Sequence, residues 1–516
     1  MDISLPLSGA VAVPVKALRL RVRITAFVPM LVFGAGFALA YGLLTRIPGF
    51  IGTDDYYHSR IATQIIEQHS LRLTFPWLPL TILSPERFVD HHLLYHLYLA
   101  PWMYWGGIAG AKLAQSLIVG AIGVTFWSLL RFLRVHLALV WTLALLAIST
   151  PFLYRMLMIR TQAAAVLLLL LALHVLFRGR YRWLVGVAFA FTWLYNGFIL
   201  LPVIAALYML ATWVTERRFV WQPVAYALLG VALGLVINPY FPQNIAFVVD
   251  HLGEKMDIAS SVRVGSEWYP YTTLQLLDHS LGALLVLGAG LLADSFHRAG
   301  RDKVETTLLL IALLTLFMLF ESRRFIEYYP VFALLFCAVA WGRRVIRWRQ
   351  FVPAWLVRPQ LDFVPILALV GVVAYLGIGV VSDTNADIQN VKDVSYLSGA
   401  SAWLASHTEP GELIFQTDWD DFTRLFYYNT HNVYLVGLDP TYLQVADPFL
   451  WNQWVAITQG VVERPSVLIR DTFGARYVVS DTQHQDFAQT AEGDPNLHLV
   501  YRDATSMIWY VDDADN

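Results

Sequence analysis

Charge is the scarcest property of this chain. Asp, Glu, Lys and Arg make up 14% of its 516 residues while 57% are apolar, whereas an ordinary soluble domain is about 25% charged. That excludes a soluble enzyme and indicates a polytopic membrane protein. Cysteine is nearly missing as well. Cys337 stands alone in an apolar run, so neither an internal disulfide framework nor a cysteine-based metal site is available. The formal net charge is −2, but the charges are segregated by region and the sum conceals this; nucleic acid is not an expected partner. Internal repeats and low-complexity segments are also lacking.

What is abundant is apolar sequence in pieces the size of a membrane span. Stretches that reach, or nearly reach, across ~30 Å of hydrocarbon fall near 26–45, 110–130, 137–150, 161–177, 183–197, 198–214, 224–237, 281–296, 305–320, 331–342 and 363–381, about eleven in all. Basic residues cluster in alternate connections: Lys16, Arg19, Arg21 and Arg23; Arg131 and Arg134; Arg178, Arg180 and Arg182; Arg217 and Arg218; Arg298, Arg301 and Lys303; Arg343, Arg344, Arg347 and Arg349. The excess of positive charge on the inner side of a membrane makes those loops cytoplasmic. The N-terminus is then cytoplasmic and the C-terminus outside the cytoplasmic (inner) membrane. This parity requires His92 through Trp105 to be an amphipathic helix on the outer surface. The first segment has a basic flank but no small-residue cleavage site, so it reads as a retained helix.

The expected fold is therefore a polytopic α-helical membrane domain over 1–383, followed by a small extracytoplasmic α/β domain over 384–516. Short β-rich runs at 412–416, 432–437, 475–480, 497–501 and 507–511 alternate there with helix-like stretches near 395–406 and 465–473. The long external loops, 46–109 and 238–280, carry the polar residues that invite chemistry.

Asp54 and Asp55 lie just beyond the first apolar segment. On a loop, both carboxylates reach one hard cation such as Mg²⁺ or Mn²⁺; on a helix they diverge by about 100°. A solvated turn or a helix N-cap would suit the pair equally. Asp90, His91 and His92 close the same loop, and Glu267 lies among aromatics in the second. Arg323 and Arg324 stand at the outer end of a span, where arginine should be rare, and either can fork onto a phosphate or pair with Glu321 or Glu327. Arg155 and Arg160, on another outer loop, carry the same ambiguity. In the exported domain, Asp418-Trp419-Asp420-Asp421 follows a strand, where ligand loops and helix caps both occur.

Together these segments resemble a known family. Asp54-Asp55-Tyr56-Tyr57-His58-Ser59-Arg60 is similar to the D-x-[YW]-[YF]-[HN]-x-R segment of oligosaccharyltransferase catalytic subunits, membrane enzymes of the GT-C glycosyltransferase superfamily. Ser266-Glu267-Trp268-Tyr269-Pro270 resembles the family's S-E-x-x-P, Arg324-Phe325 its R-F pair, and Trp419-Asp420-Asp421-Phe422 its W-W-D-Y-G acceptor signature. The resemblance implies a polyprenyl phosphate or pyrophosphate sugar donor, a protein or glycan acceptor, and surrounding membrane lipids. It implies catalysis by Asp54 and Glu267, donor phosphate on Arg324, with Arg323 the second candidate by its position, and acceptor binding by Trp419, Asp420 and Asp421. It also implies a divalent cation, Mg²⁺ or Mn²⁺, on Asp54. The family's second acidic motif, D-x-[DE], should fall near 151–165, where this chain has no carboxylate; Asp55, Asp90 and His91 are the candidates to replace it. The alternatives are a transporter or flippase, which the nearly charge-free span interiors weigh against, and a noncatalytic binder of lipid-linked glycans.

Overall fold

The computed structural model describes residues 15–249, 265–295, 300–342 and 363–512. Residues 250–264 of the second external loop and the basic residues Arg298, Arg343, Arg344, Arg347 and Arg349 lie outside the described residues. Each of the eleven apolar stretches coincides with helix, beginning with α1 (Val15–Leu44). The number of spans is another matter. Among the described residues, five helices are long and apolar enough to cross a membrane: Leu93–Phe132, Asn196–Glu216, Thr273–Ala293, Lys303–Glu321 and Ile366–Gln389. Pro29–Leu44, Thr161–Phe177, Gln222–Val236 and Tyr329–Gly342 are apolar but shorter.

Two departures from uniform spans position the site. After α2 (Asp54–Glu67), helix α3 (Leu93–Phe132) is broken at Gly107, whose φ of 52° and ψ of −135° belong to a region open only to glycine. The half before the break exposes Tyr104 and Trp105, and a side chain at Gly110 would strike the Trp102 carbonyl; the 92–105 segment and the following span turn about this glycine corner. The second departure corrects an expectation. The stretch at 137–150 is no straight span, because α4 (Ala138–Leu143), with its continuation to Leu146, meets α5 (Thr150–Leu157) at 83°. Ser149 is extended and its Oγ accepts from the Phe152 N–H, capping a new helix whose first turn contains Pro151, a residue with no N–H to donate. The bend carries α5 toward α6 (Thr161–Phe177).

The last part of the chain builds a five-stranded sheet in the order β2-β1-β3-β5-β4, from β1 (Leu413–Gln416), β2 (Val433–Tyr434), β3 (Tyr477–Asp481), β4 (Leu497–Arg502) and β5 (Ser506–Val511). β1 runs parallel to both β2 and β3, while β5 is antiparallel to β3 and β4. The sheet unit packs on α2 through aromatic rings. Phe50, Tyr56 and Tyr427 meet edge-on and Tyr428 tilts against Tyr56, and the Arg424 guanidinium lies 4.3 Å from the Tyr56 ring centre. Arg60 donates to the Thr430 hydroxyl at 3.2 Å. Tyr56 and Arg60 of the first motif therefore dock the two halves of the molecule.

Candidate functional site

Asp54 and Asp55 form the first turn of α2, a helical placement that corrects the loop expectation. Acidic side chains are favoured there by the exposed N–H groups of the helix, and the helix sends the two carboxylates to different partners. Asp54 Oδ2 lies 2.7 Å from Arg160 Nη2. Asp55 Oδ2 accepts from the Gly52 N–H at 2.9 Å, and a side chain on Gly52 would meet both Asp55 and Met158. Burial raises both carboxyls; Arg160 opposes the rise at Asp54, and the Gly52 N–H opposes it at Asp55, which is pushed up to about 6.

The expected cation ligands Asp54, Asp55, Asp90 and His91 do not converge. Asp90, only 2% exposed, has both carboxylate oxygens 2.8 Å from His96 Nδ1, and His96 Nε2 is 2.8 Å from His58 Nδ1. His91 stacks on Phe247. Asp54 is on a guanidinium, Asp55 Oδ2 on the Gly52 N–H and Asp90 on an imidazole, so the four do not form one cluster of donor atoms among the described residues, while Asp55 Oδ1 is buried without a hydrogen-bond partner.

Arginine fills the space instead. Arg155 comes from α5 and Arg160 from the residue that precedes α6, so the bend at Ser149 brings both to the site. Glu267 lies on the single turn Ser266–Trp268, and Arg324 and Glu327 on the turn Arg323–Glu327. These two turns are tied by Ser322 Oγ to the Glu267 carbonyl at 2.8 Å and by the Arg323 N–H to the Tyr269 carbonyl at 3.1 Å. Glu267 receives three guanidiniums: Arg155 at 2.8 Å, Arg160 at 3.4 Å and Arg324 at 3.5 Å. Arg155 also reaches the buried Glu327 at 2.5 Å, and Arg324 lies 4.7 Å from the Trp268 ring centre. Burial alone would raise the Glu267 carboxyl, but Arg324, Arg155 and Arg160 outweigh it and hold the group well below the carboxylate range. Arg323 turns elsewhere, donating from Nε to the Pro270 carbonyl at 3.2 Å.

The loop after β1 faces Asp54 from the other side. Asp420 is pushed up to about 6 by burial and by the charges of Asp54 and Asp418, with the Thr53 hydroxyl opposing the rise. The Trp419 ring stands 3.8 Å from where Gly265 would carry a side chain. Asp421 occupies the N-cap position of the helix Phe422–Tyr428 without capping it; its Oδ1 lies 3.4 Å from the Tyr396 hydroxyl.

Among the sequence candidates, the structure thus gathers Asp54, Glu267, Arg324 and Asp420, and separates Asp90, His91 and Arg323 from them. The sequence left the role of Arg155 and Arg160 open. Their signal was positive charge standing where the resemblance leads one to expect carboxylates.

No protein-family model and no curated protein matches the sequence. Solved structures do match the fold. The archaeal oligosaccharyltransferase AglB from Archaeoglobus fulgidus, in complex with an inhibitory peptide and a dolichol-phosphate, superposes with a TM-score of 0.62 at 13% identity, over 90% of this chain and 71% of that one. ArnT from Cupriavidus metallidurans, bound to undecaprenyl phosphate, gives 0.57 at 16% identity, over 94% and 98%. The arabinofuranosyltransferase AftD from Mycobacteria gives 0.55 at 16% identity, over 94% of this chain and 42% of that one.

Proposed function

We propose that this chain, a multi-pass membrane protein with the fold of the GT-C glycosyltransferases, moves a sugar or oligosaccharide from a polyprenyl phosphate or pyrophosphate to an acceptor outside the cytoplasmic membrane. In this reading the N-terminus is cytoplasmic and the sheet unit extracytoplasmic. One observation carries the reading: Arg155, Arg160 and Arg324 converge on Glu267 beside Asp54. Guanidiniums present forked donors that match phosphate oxygens, and a cluster tied together by one carboxylate is already organised for an anion. AglB and ArnT, of the same fold, were solved with dolichol-phosphate and undecaprenyl phosphate respectively.

The chemistry follows from the placement of the groups. The acceptor nucleophile attacks the anomeric carbon while the bond from that carbon to the phosphate oxygen breaks, its electron pair leaving with the phosphate. Arg155, Arg160 and Arg324 stabilise the negative charge that grows on the departing phosphate. Asp54, whose carboxyl is raised by burial, takes the acceptor's proton. Glu267 keeps the guanidiniums facing one point, so that donor and nucleophile need only be held in line. Trp419, Asp420 and Asp421 supply the acceptor side, whether protein or glycan. Arg160 holds Asp54 Oδ2 at 2.7 Å and fixes which carboxylate oxygen is presented to the acceptor.

The test is mass spectrometry of lipid-linked glycans and envelope glycoconjugates in cells carrying the native protein or Asp54→Asn at matched protein levels. Accumulation of one lipid-linked donor with loss of one glycoconjugate supports the transferase, and the missing product names the acceptor. Unchanged profiles overturn it in favour of binding or transport.

A further inference from the structure

Three basic connections that charge asymmetry assigns to one side of the membrane meet at a cavity. α6 starts beside Arg160 and ends at Phe177, and the helix Lys303–Glu321 ends next to the turn that carries Arg324. At 1.5 Å per residue, the opposite ends of both helices lie about 25 Å from the Asp54 site. A cavity of about 540 Å³ opens at that end, lined by Arg180, Arg182, Arg218 and Lys303. Its volume is within the range of small-molecule sites, and it shares no residue with the arginine cluster around Glu267.

The backbone around it is held in place. α6 closes with Gly179 at a φ of 66°, the left-handed position that glycine favours at a helix end. There the Gly179 N–H donates to the Leu176 carbonyl and the Arg180 N–H to the Val175 carbonyl, both at 3.0 Å. Between the two arginines, the Tyr181 hydroxyl lies 2.9 Å from that of the buried Tyr208, so Arg180 and Arg182 extend from an anchored turn. The charge of the lining is unbalanced. Glu216, its one carboxylate among the described residues, lies 3.0 Å from Lys303 and 4.0 Å from Arg218, and Arg180 and Arg182 have no carboxylate partner among those residues. Phe219 of the lining is exposed, as are Trp183 and Trp221, each next in sequence to a lining residue. Exposed aromatics at the end of a span mark the level of lipid headgroups.

We propose that this cavity binds the phosphate of an anionic glycerophospholipid in the leaflet away from Asp54, with Arg180 and Arg182 on the phosphate oxygens. Guanidiniums fork onto phosphate, and basic recesses between membrane helices take anionic headgroups. A free phosphate ion presents the same oxygens. The lipid is the better fit because the exposed Phe219, Trp183 and Trp221 would be covered by its acyl chains and glycerol, which an inorganic ion lacks. The site does not depend on the transferase reading. It braces the far end of the helix Lys303–Glu321, whose near end carries the turn of Arg324.

The test is native mass spectrometry of the full-length protein in detergent, titrated with dioctanoyl phosphatidylglycerol, dioctanoyl phosphatidylcholine or inorganic phosphate. The expected result is one phosphatidylglycerol per chain, at concentrations where neither phosphatidylcholine nor phosphate binds. Arg180→Gln combined with Arg182→Gln should weaken that binding by about 30-fold. Arg131→Gln combined with Arg134→Gln should leave it unchanged; these arginines flank Phe132 at the same end of the helices, where Arg178 packs on that ring, but do not line the cavity. Glu216→Gln, which releases Lys303 and Arg218, should strengthen binding by about 5-fold, a gain that a misfolded variant would not give. Absence of lipid binding, equal loss with both arginine pairs, phosphate binding as tightly as the lipid, or weaker binding with Glu216→Gln overturns the proposal. Each of those outcomes leaves the transferase reading standing, because the cavity and the Asp54 site have no residue in common.

Discussion

On the helical side of Asp54, Arg155, Arg160 and Arg324 face Glu267 and Glu327; on the sheet side, Asp418, Asp420, Asp421 and Asp481 face His484 and Lys392. The first wall pairs its three guanidiniums with Glu267, Glu327 and Asp54 itself. The second carries more carboxylates than cations. In the first wall, deleting Arg155 strands the buried Glu327. In the second, deleting the charge of Asp421 relieves repulsion from Asp418 and Asp481. The same operation should therefore have opposite signs on the two sides.

The largest effect expected is on turnover. Arg160→Gln removes the guanidinium shared by Asp54 and Glu267 and should lower the transfer rate by about 10²- to 10³-fold, measured as a single turnover of lipid-linked donor. A rate within a factor of about two of native would mean that the arginine wall is not where the phosphate sits. Next is a loss of stability. Arg155→Ala leaves Glu327, 1% exposed, without its guanidinium, and stranding a buried charge costs about 3–5 kcal/mol; chemical denaturation in detergent reads it. Asp421→Asn, on the opposite wall, should stabilise the protein by about 1 kcal/mol in the same assay, because it removes repulsion from Asp418 and Asp481. A loss comparable to that of Arg155→Ala would abolish the contrast.

The smallest effect concerns pH. Asp55 is pushed up from 3.8 to about 6, by burial against the opposing Gly52 N–H. An acid with a folded pKa above its unfolded value holds its proton longer in the native state. The cost of ionising it is therefore absent below about pH 4 and complete above about pH 6. Asp55→Asn keeps an acceptor for Gly52, so it should raise the melting temperature near neutral pH and leave it unchanged near pH 4. A gain of equal size at both pH values would point to something other than charge.

Asp54, Glu267 and Arg324 were legible because each sits in a short motif whose order along the chain is itself informative. The surface position of the 92–105 segment was expected from span parity, but that the corner falls at Gly107 was shown only by its dihedral angles. The number of spans was less legible. The stretch at 137–150 is apolar throughout and reads as one rod, yet the Ser149 cap and Pro151 bend it by 83°. That bend decides where Arg155 and Arg160 end up, and no periodicity in the sequence reports it.

Composition and apolar run length by themselves determined a helical membrane protein with a mixed α/β unit after the last long apolar stretch, because burial of apolar surface and strand alternation are local properties of sequence. Partnership was decided by the tertiary structure alone. Asp54 meets Arg160 and not a neighbouring aspartate, because the first turn of a helix separates adjacent side chains. Asp418 meets His484, 66 residues further on, because β3 returns beside β1. Ion pairs act over a few ångströms, and which charges come that close is a property of the folded chain.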